Sequence, residues 1–156
     1  MTSLTLIPAL PLLGFLVNGL VGRRLPTALV SFVACALPAA AFVVTLAVFR
    51  QFLATGAPVD ETLFTWAATA GFQVDAAFRF DAITAVMCLV VTGIGTLIHV
   101  YSIGYLHGDD GYARYFAYLN LFLFFMLVLV LGRNLVMLFI GWEGVGLASY
   151  LLIGFW

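Results

Sequence analysis

Five apolar stretches of about twenty residues each, separated by short polar breaks, dominate the chain: approximately 4–21, 27–49, 82–105, 115–131 and 135–155. At about 1.5 Å of rise per residue, a helix of that length matches the roughly 30 Å hydrocarbon core of a bilayer. Backbone N–H and C=O groups find no water there, so a spanning segment must close its hydrogen bonds internally, which selects helices over irregular chain. The sequence therefore predicts an all-α membrane protein with about five transmembrane helices. Composition agrees: 65% of the residues are hydrophobic and 8% charged, against about 45–50% and 25% in soluble domains.

Charge and cysteine content exclude several functions. A net charge of −1, with six arginines and no lysine, leaves no basic surface for nucleic acid. Cys35 and Cys88 both sit in apolar runs and read as small core residues rather than a disulfide or a zinc site. The first apolar run is not preceded by a basic residue and carries Pro8 and Pro11, so it reads as a retained helix, not a signal peptide. Loop arginines divide evenly between the two sides, but the Arg23/Arg24 pair after the first helix favours an outside amino terminus.

The one long connection, residues 50–80, contains two short alternating stretches, Leu63-Phe64-Thr65-Trp66 and Phe72-Gln73-Val74-Asp75. With a turn over 67–71 between them, they predict a small extramembrane β-hairpin on the membrane surface. Asp81, just before the third apolar run, reads as a helix cap. His107, Asp109, Asp110 and Arg114 fall in a loop and read as solvated.

One charge resists this accounting. Glu143 lies nine residues into the fifth run, close to the bilayer midplane, in the sequence Ile140-Gly-Trp-Glu-Gly-Val-Gly-Leu-Ala148. A charged acid at that depth costs about 2.5–3.5 kcal/mol on insertion scales, and such residues face a bundle interior or a wet cavity and mark ion pathways. Burial favours the protonated carboxyl and a nearby cation the ionised one, so a group between these influences can take and release a proton. The simpler alternative is a protonated acid hydrogen-bonded to a neighbouring helix. Gly141, Gly144, Gly146 and Ala148 leave room for close helix approach. None of the arginines lies inside a span, so a cation for Glu143 would have to come from outside this sequence.

A second polar feature runs down the third span, where Cys88, Thr92, Thr96, His99 and Ser102 recur every three or four residues. Thr92, Thr96 and His99 could order water beside a proton path, His99 by titrating near neutral pH; the alternative is hydrogen bonding between helices. Asn120 is the single side-chain amide of an otherwise aromatic fourth span. No Cys-x-x-Cys set, nucleotide loop or haem-spaced histidine pair is present, which places any redox chemistry elsewhere.

Three segments carry a family resemblance: His99-Val-Tyr-Ser-Ile-Gly-Tyr105, Tyr115-Phe-Ala-Tyr-Leu-Asn-Leu121, and above all Phe139-Ile-Gly-Trp-Glu-Gly-Val-Gly-Leu-Ala-Ser-Tyr-Leu-Leu-Ile-Gly-Phe-Trp156. Together they resemble the amino-terminal part of the subunit L (chain 5 type) family of proton-translocating NADH:quinone oxidoreductase, respiratory complex I. The resemblance implies that residues 1–156 are the front portion of an antiporter-like membrane domain, continued by further helices. It implies a role for Glu143 as an intramembrane proton-exchanging carboxylate, opposite a lysine on a later helix. It also implies the other membrane-arm subunits and the lipid bilayer of an energy-transducing membrane as partners. Flavin, iron–sulfur clusters, NADH and quinone would belong to other subunits, leaving no cofactor in this chain. Two alternatives remain open at this stage, a multi-subunit cation/proton antiporter without a redox partner and a non-transporting scaffold fragment.

Overall fold

A single helix, the fourth, holds the others in place. The computed structural model describes residues 3–69 and 71–156, in which five helices and two strands follow one another. They are α1 (Leu6–Leu20), α2 (Thr27–Thr55), β1 (Val59–Thr69), β2 (Phe72–Phe80), α3 (Ala82–Tyr105), α4 (Tyr112–Leu131) and α5 (Leu135–Ile153), with a short 3-10 turn, Gly22–Arg24, between α1 and α2. Helix α4 packs against all four other helices, whereas α5 rests on α4 and the end of β2.

Helices α2 to α5 are each long and apolar enough to cross a membrane. The first, α1, is shorter, with 15 residues, roughly 22 Å, and it reaches from the hairpin end of the bundle to the start of α4 with the help of the turns at its two ends. The expected span over 4–21 is therefore corrected to a shorter helix, begun by a turn at Leu4-Thr5 and continued by the 3-10 turn that carries Arg23 and Arg24. Helix α2 exceeds its expected length in the opposite sense. Nothing between Arg50 and Thr55 breaks a helix, and the stop comes at Gly56, whose φ of 66° supplies the left-handed residue that ends it. It runs unbroken through Pro38.

The hairpin forms and is larger than its two alternating stretches. Strands β1 and β2 pair antiparallel from Val59↔Phe80 to Thr69↔Phe72, with irregularities that leave Leu63 and Trp66 out of register. The turn is shorter than the expected 67–71, because β1 continues to Thr69 and β2 begins at Phe72, and Gly71 takes a φ of 93° that a tight hairpin favours. Ala70 itself lies outside the described residues. Phe64 and Trp66 are exposed on β1, while Ala76, Ala77, Phe78 and Phe80 of β2 are buried against the helix ends. Three consecutive buried residues break the alternation expected of a surface strand; β2 is wedged against the start of α3, the end of α4 and the start of α5.

Hydrogen bonds fix this wedge. Arg133 N–H donates to the Ala77 carbonyl at 3.0 Å, and the Asn134 side-chain amide donates to the Asp75 carbonyl at 2.7 Å. Asn134 also caps α5, accepting from Val136 and Met137. Asp81 caps α3 as expected, accepting from Ile83 and Thr84 at 3.1 and 3.0 Å. The Thr84 N–H bond, with that of Ile83, holds the Asp81 carboxyl below the usual aspartate range.

Glu61 does the same for α1 from 55 or more residues away in sequence. Its carboxylate accepts from the Ser3 and Thr5 hydroxyls at 2.6 and 2.7 Å and from the Leu4 and Thr5 backbone N–H groups. Partial burial pushes its carboxyl up, but these four donors outweigh it and hold the group below the usual glutamate range. The stabilisation is therefore complete above the free-glutamate pKa of about 4.3 and is lost as pH falls through the lower folded value. Glu61→Ala is expected to cost about 1 kcal/mol, the scale of a lost N-terminal cap. Thermal midpoints of the purified protein should differ between wild type and variant at neutral pH and converge on strong acidification; a gap that persists in acid would show that the charge at Glu61 is not what matters.

Candidate functional site: the exposed face of the fifth helix

Which way Glu143 points is decided by the small residues beside it. Helix α5 meets α4 through Met137, Gly141, Gly144 and Ala148, all buried and spaced by three or four residues. The approach is close. A Cβ on Gly141 would stand 2.4 Å from the Leu129 backbone nitrogen, and one on Gly144 2.0 Å from the Phe125 ring. Gly146 faces open space, so the four small residues flanking Glu143 do not share one role. Two of them and Ala148 make the helix contact, and Gly146 belongs to the opposite face.

Glu143 lies on that opposite face, exposed, at the ninth position of the 19-residue helix. Around it are Phe139, Trp142, Leu147 and Tyr150, each more than half exposed. Among the described residues, no hydrogen bond or ion pair engages its carboxylate, and the single salt bridge, Arg79 to Asp60 at 3.4 Å, is in the hairpin. Among the described residues, no neighbouring helix hydrogen-bonds Glu143. An ionisable group at the centre of a membrane-length helix, on a broad apolar face, is chemically unfinished until a further element covers it.

The polar stripe of α3 is a separate feature. Cys88, Thr92, His99 and Ser102 are buried, and Thr96 is half-buried. Neither hydroxyl reaches another helix. Thr92 donates to the Cys88 carbonyl at 2.6 Å and Thr96 to the Thr92 carbonyl at 2.7 Å. Ser102 does likewise to Ile98 at 2.8 Å, and His99 Nδ1 lies 2.7 Å from the Gly95 carbonyl. All four are bonds to the preceding turn, which bury a polar group without a partner helix; the expected bonds between helices are not formed. His99 Nε2 alone remains buried and unpartnered, beside a mostly apolar cavity of about 200 Å³ between α3 and α4. Its ring lies 6.4 Å from that of Phe116 on α4.

Glu143 and the stripe are not brought together. Each lies on a helix that packs against α4, the stripe on α3 and Glu143 on the exposed face of α5. Two buried amides complete the polar interior. Asn120 donates to Phe116 O at 2.9 Å and leaves its Oδ1 unpartnered beside Gly14 of α1, where a Cβ would stand 2.5 Å away. Asn18 on α1 is buried with neither amide atom bonded. It escapes a sequence reading because an asparagine near the end of an apolar run reads as a helix terminus.

At the other end of the bundle, two loop residues expected to be solvated act as ties. Arg114 stacks on the Phe155 ring at 4.9 Å and donates to the Phe155 carbonyl at 3.4 Å. Asp109 accepts from Gly111 N–H and from the Trp156 indole at 3.1 Å. Both ends of α5 are thus pinned while its Glu143 face stays open.

Sequence comparison fits this arrangement. A family model described as NADH-Ubiquinone oxidoreductase (complex I), chain 5 N-terminus, matches residues 66–116, from the hairpin into the start of α4. The chain is 42% identical over 149 residues to NADH-ubiquinone oxidoreductase chain 5 of Allomyces macrogynus, covering 94% of this chain and 23% of the relative. It is 41% identical over 158 residues to NADH-quinone oxidoreductase subunit L of Neisseria meningitidis serogroup A, covering 100% and 23%. Against subunit L of Mycobacterium tuberculosis it is 44% identical over 154 residues, covering 97% and 24%. The chain belongs to the complex I chain 5/subunit L family. It spans about a quarter of the length of these curated relatives.

The two glycine classes give a test. Gly141→Ala must displace α4 backbone and is expected to destabilise by about 1–3 kcal/mol, the range for overpacking, whereas Gly146→Ala, which meets nothing, should be neutral or slightly stabilising. Thermal unfolding of the two variants checks the assignment of faces, and equal losses would overturn it.

Proposed function

We propose that the chain is part of a membrane-arm subunit that moves protons across an energy-transducing membrane while electrons pass from NADH to quinone in other subunits. The observation that carries this reading is Glu143: a single carboxyl at the middle of a membrane-length helix, unpartnered within the chain and presented on an open apolar face. The relatives' names supply the redox context, and they favour a subunit of an oxidoreductase over a stand-alone antiporter.

The chemistry follows from the carboxyl's surroundings. In an apolar environment the neutral acid is the favoured form, and the approach of a cation favours the anion. A cationic side chain on a further helix laid over the α5 face would release the proton as it approaches and recover it as it withdraws. The arginines of this chain lie in the hairpin, in turns or within a few residues of a helix end, so that cation comes from another segment or subunit. Thr92, Thr96 and His99 form a second candidate station inside the bundle. There the unpartnered Nε2 of His99 is the group able to receive a proton or a water.

Partners in this reading are the other membrane-arm subunits and the surrounding lipid. Flavin, iron–sulfur clusters, NADH and quinone are assigned to those subunits, and the amino terminus and the hairpin are assigned to the outer side.

Glu143→Gln in the complete, assembled enzyme keeps size and hydrogen bonding but cannot ionise. Loss of a positioned proton-transfer group is expected to slow coupled proton translocation roughly a hundredfold or more, while reduction of an artificial electron acceptor by NADH continues. Normal proton translocation per electron pair in that variant would reject the role of Glu143.

A further inference from the structure

Where α1 ends beside the start of α4, a groove of about 310 Å³ opens on the membrane side of the bundle. Its apolar wall is made by Phe15, Leu16, Leu20 and Tyr118, with Leu20 79% exposed. Its floor is shallow because Gly19 and Ala117 face each other there: a Cβ on Gly19 would stand 3.8 Å from that of Ala117. Two cations, Arg23 and Arg114, line the same groove at its polar end, and no acid lines it. Neither arginine makes a salt bridge among the described residues. Arg114 is held in place by Phe155, whose ring and carbonyl it engages. Asn18, buried with both amide atoms unpartnered, adds a polar side chain to the wall.

This is an amphipathic seat, with its apolar part along α1 and α4 and its charged part at the end of α1 and the start of α4. A second cavity adjoins it through the same two arginines and reaches the N-terminus of α4, where Gly111 provides no side-chain cap. Asp109 and Asp110 also line that second cavity, so an anion is favoured on the α1 side, where the lining is free of acids.

We propose that the α1–α4 groove binds an anionic phospholipid, its phosphate between Arg23 and Arg114 and one acyl chain along Leu16, Leu20 and Tyr118. Charge complementarity selects the occupant: two cations at the rim, neither in a salt bridge among the described residues, favour a net-negative headgroup over a zwitterionic one, each cation near the surface being worth about 1 kcal/mol. An apolar peptide would leave both charges uncompensated.

The complete protein, delipidated in detergent, can be titrated with phosphatidylglycerol or phosphatidylcholine and the retained lipid counted by native mass spectrometry. Wild type should retain phosphatidylglycerol in preference. Arg23→Gln should lower that retention about fivefold, and Arg24→Gln, which removes the same charge from a neighbouring residue outside the groove, should not. Gly19→Leu, placed to fill the floor without meeting backbone, should expel the lipid. Equal losses from Arg23→Gln and Arg24→Gln would overturn the proposal by showing a diffuse charge effect. Retention unchanged by both Arg23→Gln and Gly19→Leu would also overturn it, as would displacement of the lipid by inorganic phosphate alone, which would mark a free-anion site.

Discussion

The contact between α4 and α5 is the interaction on which the rest of the site depends. In a bilayer, apolar side chains gain little by leaving lipid for one another, so helices associate through close packing and through the polar groups that such packing satisfies. Gly141 and Gly144 bring α5 onto the backbone of α4 at Leu129 and the ring of Phe125. Once those two glycines face inward, the 3.6-residue period leaves Glu143 no choice but to face away. The orientation of the candidate carboxyl is thus a consequence of two missing side chains, and no attractive interaction of the carboxyl itself is needed.

The hairpin answers a second constraint. Four N–H groups at each helix start need partners, and close to a membrane, water is a less dependable one. At this end of the bundle the three helix starts are capped by side chains: Glu61 for α1, Asp81 for α3 and Asn134 for α5. Asn134 and the backbone of Arg133 also bond to β2. The hairpin therefore ties α1, α3, α4 and α5 together at this end, through Glu61 on β1 and through the β2 carbonyls of Asp75 and Ala77. The far end uses different chemistry, an arginine on an aromatic ring and an indole on a carboxylate, in keeping with a loop that has few residues to offer.

Much of this was legible in the sequence, for identifiable reasons. The span 82–105 coincides with α3 because Asp81 starts it with a cap and Leu106-His-Gly-Asp ends it in a turn. The depth of Glu143 follows from counting residues. What hydropathy could not convey was the shortness of α1, whose apolar flanks, Leu4 and Val21, belong to turns rather than to the helix. Nor could it divide Gly141 and Gly144 from Gly146, since the sequence names small residues without saying which face meets a neighbour. Nothing local to Glu61 announces its role, because its partners Ser3 and Thr5 lie more than fifty residues away and long-range caps have no local signature. The α3 stripe was visible as a period, but a serine or threonine period looks the same whether its hydroxyls bond to another helix or to their own preceding turn.

The separation of Glu143 from His99 limits how both could serve one proton route. Helix α4, which packs against both α3 and α5, carries from Tyr115 to Leu131 no carboxylate, imidazole or guanidinium and a single amide, Asn120, turned toward Gly14 of α1. Phe116 lies beside His99 and Phe125 against Gly144, so aromatic rings without exchangeable protons face both α3 and α5 from α4. The two groups are therefore set in different surroundings: His99 is buried within the bundle formed by α1 to α4, and Glu143 is exposed on the apolar outer face of α5.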